Sequence, residues 1–111
     1  MVVAASNQKI YISYLQKNYY MKLKKGYVLR QVCGENVVVG EGLDAINFGK
    51  LLSLNETAAW LWQQAVELGD FTEGKLTARL CESYEVAEEQ ARTDVEAIIK
   101  QWDELHLLDM A

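Results

Sequence analysis

The chain has 111 residues, of which 50% are hydrophobic and 24% are charged. This length suits one domain with a single core, and the apolar content argues against bulk disorder. The sequence holds no run of about 20 apolar residues, the length that spans a bilayer. Residues 7–9 are polar and interrupt the N-terminus early, unlike a signal peptide. We therefore expect a cytoplasmic protein without a membrane partner.

The formal net charge of −5 is distributed unevenly along the sequence. Basic residues outnumber acidic residues up to Leu52, and acidic residues dominate from Ser53 onward. Because an acidic surface repels a phosphate backbone, no nucleic-acid partner is expected.

No arrangement of residues in the sequence is typical of a catalytic or metal site. Cys33 and Cys81 form no CxxC motif, and His106 is the only histidine, so we expect two reduced thiols and no metal. There is no phosphate loop and no dinucleotide fingerprint. The sequence therefore predicts a protein that is not an enzyme and that needs no cofactor.

The first half of the sequence favours strands. Residues 27–33 are rich in strand formers, residues 34–36 supply a turn, and residues 37–39 continue as a second strand, which together predict a β-hairpin. A third strand is expected at about residues 49–54. Residues 1–20 show no clean period and are expected to be an N-terminal extension, either disordered or forming an added strand.

After Leu54 the apolar period becomes helical. The first helix is capped either by Ser53, in a capping box with Glu56, or by Asn55, and Gly69 ends it. Its core stripe comprises Ala58, Leu61, Trp62 and Ala65. Trp60 lies off that stripe and is a candidate for a contact surface.

Two further helices follow. Thr72 caps the second, and its core face comprises Leu76, Leu80 and Tyr84. The third has apolar residues at spacings of four and three: Ala91, Val95, Ile98, Trp102 and Leu105. Leu107 and Leu108 are expected to fold back over the core. The order predicts an α+β fold, winged-helix-like, with a three-stranded antiparallel sheet followed by three helices, over residues 21–111.

The segment Leu54-Asn55-Glu56-Thr57-Ala58-Ala59-Trp60-Leu61-Trp62 resembles the PqqD family. That family shows a strand ending in Leu-Asn-x-Thr-Ala and then an aliphatic–Trp pair, here Leu61-Trp62. The likeness runs from about Met21 to Asp109. It departs at Ala87, where Ser or Asp is usual, and at His106, where glycine is usual. The motif residues expected to be mostly structural are Leu54, Asn55, Thr57, Ala58 and Trp62.

The resemblance implies a non-catalytic peptide chaperone. Such a protein binds the leader of a ribosomally made precursor peptide and presents it to a radical-SAM or other peptide-modifying enzyme, as in pyrroloquinoline quinone-type biosynthesis. The implied leader adds as a strand along the third β-strand and lies against the third helix. The implied peptide-binding residues are Lys50, Leu51, Leu52, Ser53, Asp94, Val95, Ile98, Ile99 and Trp102.

Several alternatives stay open from the sequence. A winged-helix DNA-binding regulator would carry several basic residues on its recognition helix, whereas the third helix has only Arg92 and Lys100 among six acids. A protein-only adaptor is a third hypothesis, and a homodimer could form through the exposed strand. Ile98 and Ile99 are adjacent, so one is expected in the core and the other in the groove.

Overall fold

The computed structural model describes residues 19–41 and 52–110. The strands in these ranges are β1 (Met21–Leu23), β2 (Tyr27–Val32), β3 (Glu35–Gly40), β4 (Leu52–Leu54) and β5 (Leu108–Met110). The helices are α1 (Glu56–Leu68), α2 (Glu73–Ser83) and α3 (Glu88–Glu104). Strands β2, β3 and β4 form an antiparallel sheet in that order, and three helices follow it. This is the predicted winged-helix-like α+β architecture.

The β2–β3 hairpin turns at Cys33 and Gly34, one residue earlier than expected. Both residues have positive φ angles, 52° and 81°. Two consecutive positive φ angles are the requirement of a type I′ turn, whose twist matches that of the flanking strands. Val32 pairs directly with Glu35, so Glu35 and Asn36 belong to β3. The sequence did not indicate a turn at this position, because a cysteine seldom adopts a positive φ.

The three-stranded sheet has a helix-facing side and an outer side. The cross-strand row that packs against the helices comprises Leu29, Val38 and Leu52. The next row, on the opposite face, comprises Arg30, Val37 and Ser53. On this outer face Arg30 forms a salt bridge with Glu41, and the Ser53 hydroxyl lies 3.5 Å from the Glu35 carboxylate. Successive residues of β4 therefore point to opposite sides, as the pleat requires.

Helix α1 is capped by Asn55, which decides between the two expected caps. The Asn55 side chain accepts a hydrogen bond of 2.8 Å from the Ala58 backbone N–H. Ser53 belongs to β4 and points away from the helix start. Gly69 ends α1 with a φ of 77°, and Thr72 caps α2 by accepting from the Lys75 N–H at 3.1 Å, both as expected.

The core centres on two tryptophans. The rings of Trp62 and Trp102 meet edge to face with centroids 5.2 Å apart, and 1% and 0% of their surfaces are exposed. The buried stripe of α3 runs through Ala91, Val95, Ile99 and Trp102. Ile98, which shares the apolar spacing of this stripe, is only partly buried, because it lies at the edge of the stripe.

Two short strands outside the expected set close the domain. Met21 is fully buried, and β1 pairs antiparallel with β5. Met21 also exchanges two backbone hydrogen bonds of 2.8 Å with Phe71, between α1 and α2. Leu107 and Leu108 are buried, as expected. Tyr19 already packs against the core, while the rest of the expected N-terminal extension, residues 1–18, lies outside the described residues.

His106 holds the conformation that explains why glycine is usual at its position. Its φ is 60°, in the left-handed region. The Leu107 N–H bonds to the Trp102 carbonyl at 2.9 Å, and the His106 N–H bonds to the Asp103 carbonyl at 3.0 Å. This pair of bonds is the Schellman motif, which favours glycine at the position of His106.

We expect His106→Gly to raise the free energy of unfolding by about 1 kcal/mol, because glycine removes the strain of the left-handed conformation. The greater conformational entropy of glycine in the unfolded chain cancels part of that gain. His106→Ala is the matched control, since alanine keeps the Cβ and should give no gain. Urea unfolding followed by circular dichroism measures both. Equal stabilisation by the two variants would show that the imidazole, not the backbone conformation, matters.

Candidate functional site

Among the described strands, β4 lies at an edge of the three-stranded sheet. It pairs with β3 through Leu54 with Asn36, Ser53 with Val37 and Leu52 with Val38. No other described strand pairs with β4. A strand with one open side exposes a row of N–H and C=O groups that another extended segment can satisfy. Lys50 and Leu51, expected to extend this edge, lie outside the described residues.

The β4 side chains divide between the core and the surface. Leu54 is buried in the core, and Leu52 packs against the same core from a partly exposed position. Ser53 is exposed and faces the outer side of the sheet. An added strand beside β4 would therefore meet the Leu52 side chain on its helix-facing side and the Ser53 backbone.

Helix α3 turns one flank toward α2 and leaves the opposite flank free of it. Glu88 and Arg92 line a cleft together with α2 residues such as Thr77. At about 100° per residue, Asp94 and Ile98 lie on the flank opposite Arg92. Ile98 is partly exposed and packs against the same core as Leu52. Leu52 on β4 and Ile98 on α3 are both partly buried apolar residues that pack against the same core.

Three of the expected peptide-binding residues form the layer beneath this surface. Val95, Ile99 and Trp102 each have 0% of their surface exposed. A side chain without exposed surface offers no contact to a ligand in this conformation, so the expectation that they line a groove needs correction. They belong to the buried stripe of α3.

The flank of α3 that faces away from α2 carries little charge. Among the six acidic residues of α3, only Asp94 lies on the flank with Ile98. The Gln90 side-chain amide donates a 2.9 Å hydrogen bond to Asp94. On the α2 side, a hydrogen bond to Glu88 and the nearby charge of Glu73 raise the pKa of Arg92 above its ordinary value. The acidic residues of α3 therefore lie mostly off the flank that carries Ile98.

Sequence reasoning missed two polar residues of this surface. Gln90 and Gln101 are exposed and share the flank of Asp94 and Ile98. Their helical spacing was the available signal, because positions three and four apart share one face of a helix. They place side-chain amides on the same flank of α3 as Ile98.

The family-motif residues have mainly structural positions. Leu54, Ala58 and Trp62 are buried in the core, and Asn55 caps α1. Thr57 is exposed in the first turn of α1. Apart from Thr57, the motif therefore fixes the junction between β4 and α1, which sets the position of the open edge.

Other features of the described ranges are brief to state. Cys33 is exposed and Cys81 is partly buried, and both thiols are free. No helix in residues 19–41 and 52–110 has the length and apolarity needed to cross a membrane. Within the same ranges, no cluster of three or more metal-ligating side chains occurs.

Three solved structures share this fold. The PqqD truncation of Methylobacterium extorquens PqqCD, described as a RiPP recognition element, has a TM-score of 0.66 and 13% identity, covering 87% of this chain and 96% of that chain. TbiB1 in complex with the TbiA(beta) leader peptide has a TM-score of 0.63 and 16% identity, covering 79% of this chain and 94% of that chain. A lasso peptide synthetase B1 complexed with the leader peptide has a TM-score of 0.62 and 21% identity, covering 80% of this chain and 96% of that chain.

A search of curated protein sequences found no match. The family model described as coenzyme PQQ synthesis protein D (PqqD) matches residues 30–108. This match covers most of the chain, including the second half of β2, all of β3 and β4, the motif at the start of α1 and all three helices. The chain therefore belongs to the PqqD family.

Proposed function

We propose that this chain binds the leader segment of a ribosomally made precursor peptide and holds it for a separate modifying enzyme. The observation that carries the proposal is that β4 lies at an edge of the sheet in the described ranges, with Leu52 partly exposed on the helix-facing side. Membership of the PqqD family supports it. Two of the similar structures are described as complexes with leader peptides, which supports the same assignment.

In this proposal the leader adds to the sheet as a further strand. Backbone groups of Leu52, Ser53 and Leu54 pair with the leader, and Lys50 and Leu51 extend the same edge. Main-chain hydrogen bonds of this kind give affinity but little sequence preference, so side-chain contacts must choose the peptide. Leu52 and Ile98 provide an apolar contact.

The surface around Ile98 sets what kind of leader fits. An apolar anchor residue of the leader would pack between Leu52 and Ile98. Asp94, with Gln90 and Gln101 beside it, would accept a hydrogen bond from the leader or receive one basic side chain. Because Asp94 is the only acid on this flank of α3, the proposed leader is amphipathic and not strongly basic.

The finer part of the proposal concerns the partner and the role. The chain is a chaperone without catalytic function, and residues 21–111 form its PqqD-like winged-helix domain. Its partner is a radical-SAM enzyme of a pyrroloquinoline quinone-type pathway. This part rests on the resemblance of the sequence to the family. The DNA-binding alternative is disfavoured because α3 carries six acidic residues against Arg92 and Lys100.

The test is a titration of isotope-labelled protein with the peptide encoded by the nearest short open reading frame. We expect the amide shifts of Leu52–Leu54, Asp94 and Ile98 to move most, with a dissociation constant of about micromolar order. A scrambled peptide of the same composition is the control. Absence of shifts with the peptide, together with shifts on adding the neighbouring enzyme, would favour the protein-only adaptor.

A further inference from the structure

A partly exposed aromatic pair, with Trp60 partly buried and Tyr84 exposed, lies where the start of α1 meets the end of α2. Trp60, in α1, and Tyr84, the C-terminal cap residue of α2, meet edge to face with ring centroids 5.3 Å apart. Tyr84 was expected on the core face of the second helix, but 50% of its surface is exposed. Large aromatic rings at the surface of a small domain are typical of protein contact sites.

The electrostatic environment of this pair favours a cation. Glu82 and Glu85 are exposed on either side of Tyr84, and the last turn of α2 contains no basic residue. Carboxylates at a helix C-terminus add to the negative end of the helix dipole. The recorded salt bridges within the described ranges use Glu41, Glu67 and Glu88, so Glu82 and Glu85 have no basic partner there.

A second exposed tyrosine of the chain shows what Tyr84 lacks. The ammonium group of Lys75 lies 4.9 Å from the centroid of the Tyr20 ring, within the range of a cation–π contact. No such cation is recorded over Tyr84 among the residues the structure describes. The two tyrosines are comparably exposed, at 40% and 50%, so Tyr84 keeps exposed surface, and the exposed Glu82 and Glu85 are close to it in sequence.

We propose that the Trp60–Tyr84 pair is the docking site for an arginine-bearing segment of the modifying enzyme. This inference rests on the proposed function. A guanidinium is flat enough to stack on Tyr84 while its N–H groups bond to Glu82 or Glu85, and a lysine ammonium cannot do both as well. A second copy of this chain is a poor occupant, since the net charge of −5 makes two copies repel.

The docking site is separate from the proposed leader groove. The groove uses β4 and the Ile98 flank of α3, whereas the aromatic pair joins α1 and α2. The two sites share no named residue. Each can therefore be disrupted independently.

The direct test uses the capped peptide Ac-Gly-Arg-Gly-Arg-Gly-NH2. Trp62 and Trp102 are buried, so changes in tryptophan emission on titration report mainly on Trp60. We expect saturable changes in emission and amide shifts at Trp60 and Tyr84, which weaken as salt is raised. Tyr84→Ala should reduce the affinity about fivefold. Tyr20→Ala is the matched control and should leave it unchanged.

Two outcomes would overturn the inference: the glutamate peptide Ac-Gly-Glu-Gly-Glu-Gly-NH2 giving the same response, or Tyr84→Ala binding the arginine peptide as the parent chain does. Capture of the purified enzyme encoded beside this chain completes the test. Tyr84→Ala should lose that capture and keep leader binding at Leu52–Leu54. If the unmodified chain does not bind the leader but still binds the arginine peptide, only the proposed function is contradicted.

Discussion

Replacing Leu52 with Asp is expected to weaken leader binding by about 100-fold, which corresponds to about 2.7 kcal/mol. Leu52 is the partly exposed residue on the helix-facing side of the open strand. A carboxylate there would be desolvated by the apolar anchor of the leader without a partner for its charge. Ile98→Asp should act in the same way from α3, and isothermal titration with the leader peptide measures both.

Ser53→Asp is the matched control for Leu52→Asp. It introduces the same charge one residue further along β4, on the outer face of the sheet. Since a pairing leader uses the Ser53 backbone and not its side chain, we expect a change in affinity of less than about threefold, or about 0.7 kcal/mol. Because Leu52 also packs on the core, urea unfolding must show that each variant is folded. A folded Leu52→Asp protein with unchanged affinity would exclude the proposed groove.

Trp62→Ala is expected to lower the free energy of unfolding by about 3–5 kcal/mol, because it removes a buried indole and leaves a cavity. A small domain has about 5–15 kcal/mol in total, so this variant should lose a large share of its stability. Trp62 is 1% exposed and packs on Trp102. Trp60→Ala is the control: it loses only a partly buried ring and an exposed contact, and should cost less than half as much. Urea unfolding followed by circular dichroism gives both values.

Trp102, which packs on Trp62, differs from it in the hydrogen bonding of its indole N–H, and phenylalanine variants can measure the effect. The indole Nε1 of Trp102 is buried without a hydrogen-bond acceptor among the described residues. Trp102→Phe removes this unsatisfied donor, whereas Trp62→Phe removes none that is recorded. We therefore expect Trp102→Phe to be less destabilising than Trp62→Phe by about 1 kcal/mol. The reverse order would indicate that the Trp102 N–H has a partner outside the described ranges.

The local pattern of the sequence was sufficient for the helices and their ends. The stripe of Ala58, Leu61, Trp62 and Ala65 is buried as predicted, and Gly69 and Thr72 end and cap their helices. These features depend on residues close in sequence, because helical hydrogen bonds and caps join positions a few residues apart. The choice between Asn55 and Ser53 needed the structure, since either residue type can cap a helix.

The pairing of strands that are far apart in the sequence could not be predicted from local patterns. Met21–Leu23 pairs with Leu108–Met110 at the other end of the domain. Strands of three residues carry too little alternation to be recognised, and their partner is fixed by the packing of everything between them. The left-handed turn residues Cys33 and His106 likewise adopt their φ angles because the surrounding structure requires it.

The sequence by itself determined the α+β class, the order of strands and helices, the family, and β4 with α3 as the elements to consider. Only the tertiary structure decided which of their side chains are available. Val95, Ile99 and Trp102 are sealed in the core, Ile98 remains at the surface, and Tyr84 lies outside the core beside Trp60. The physical reason is that periodicity places an apolar residue on a helix face to within about one position, whereas burial depends on how neighbouring elements pack against that face.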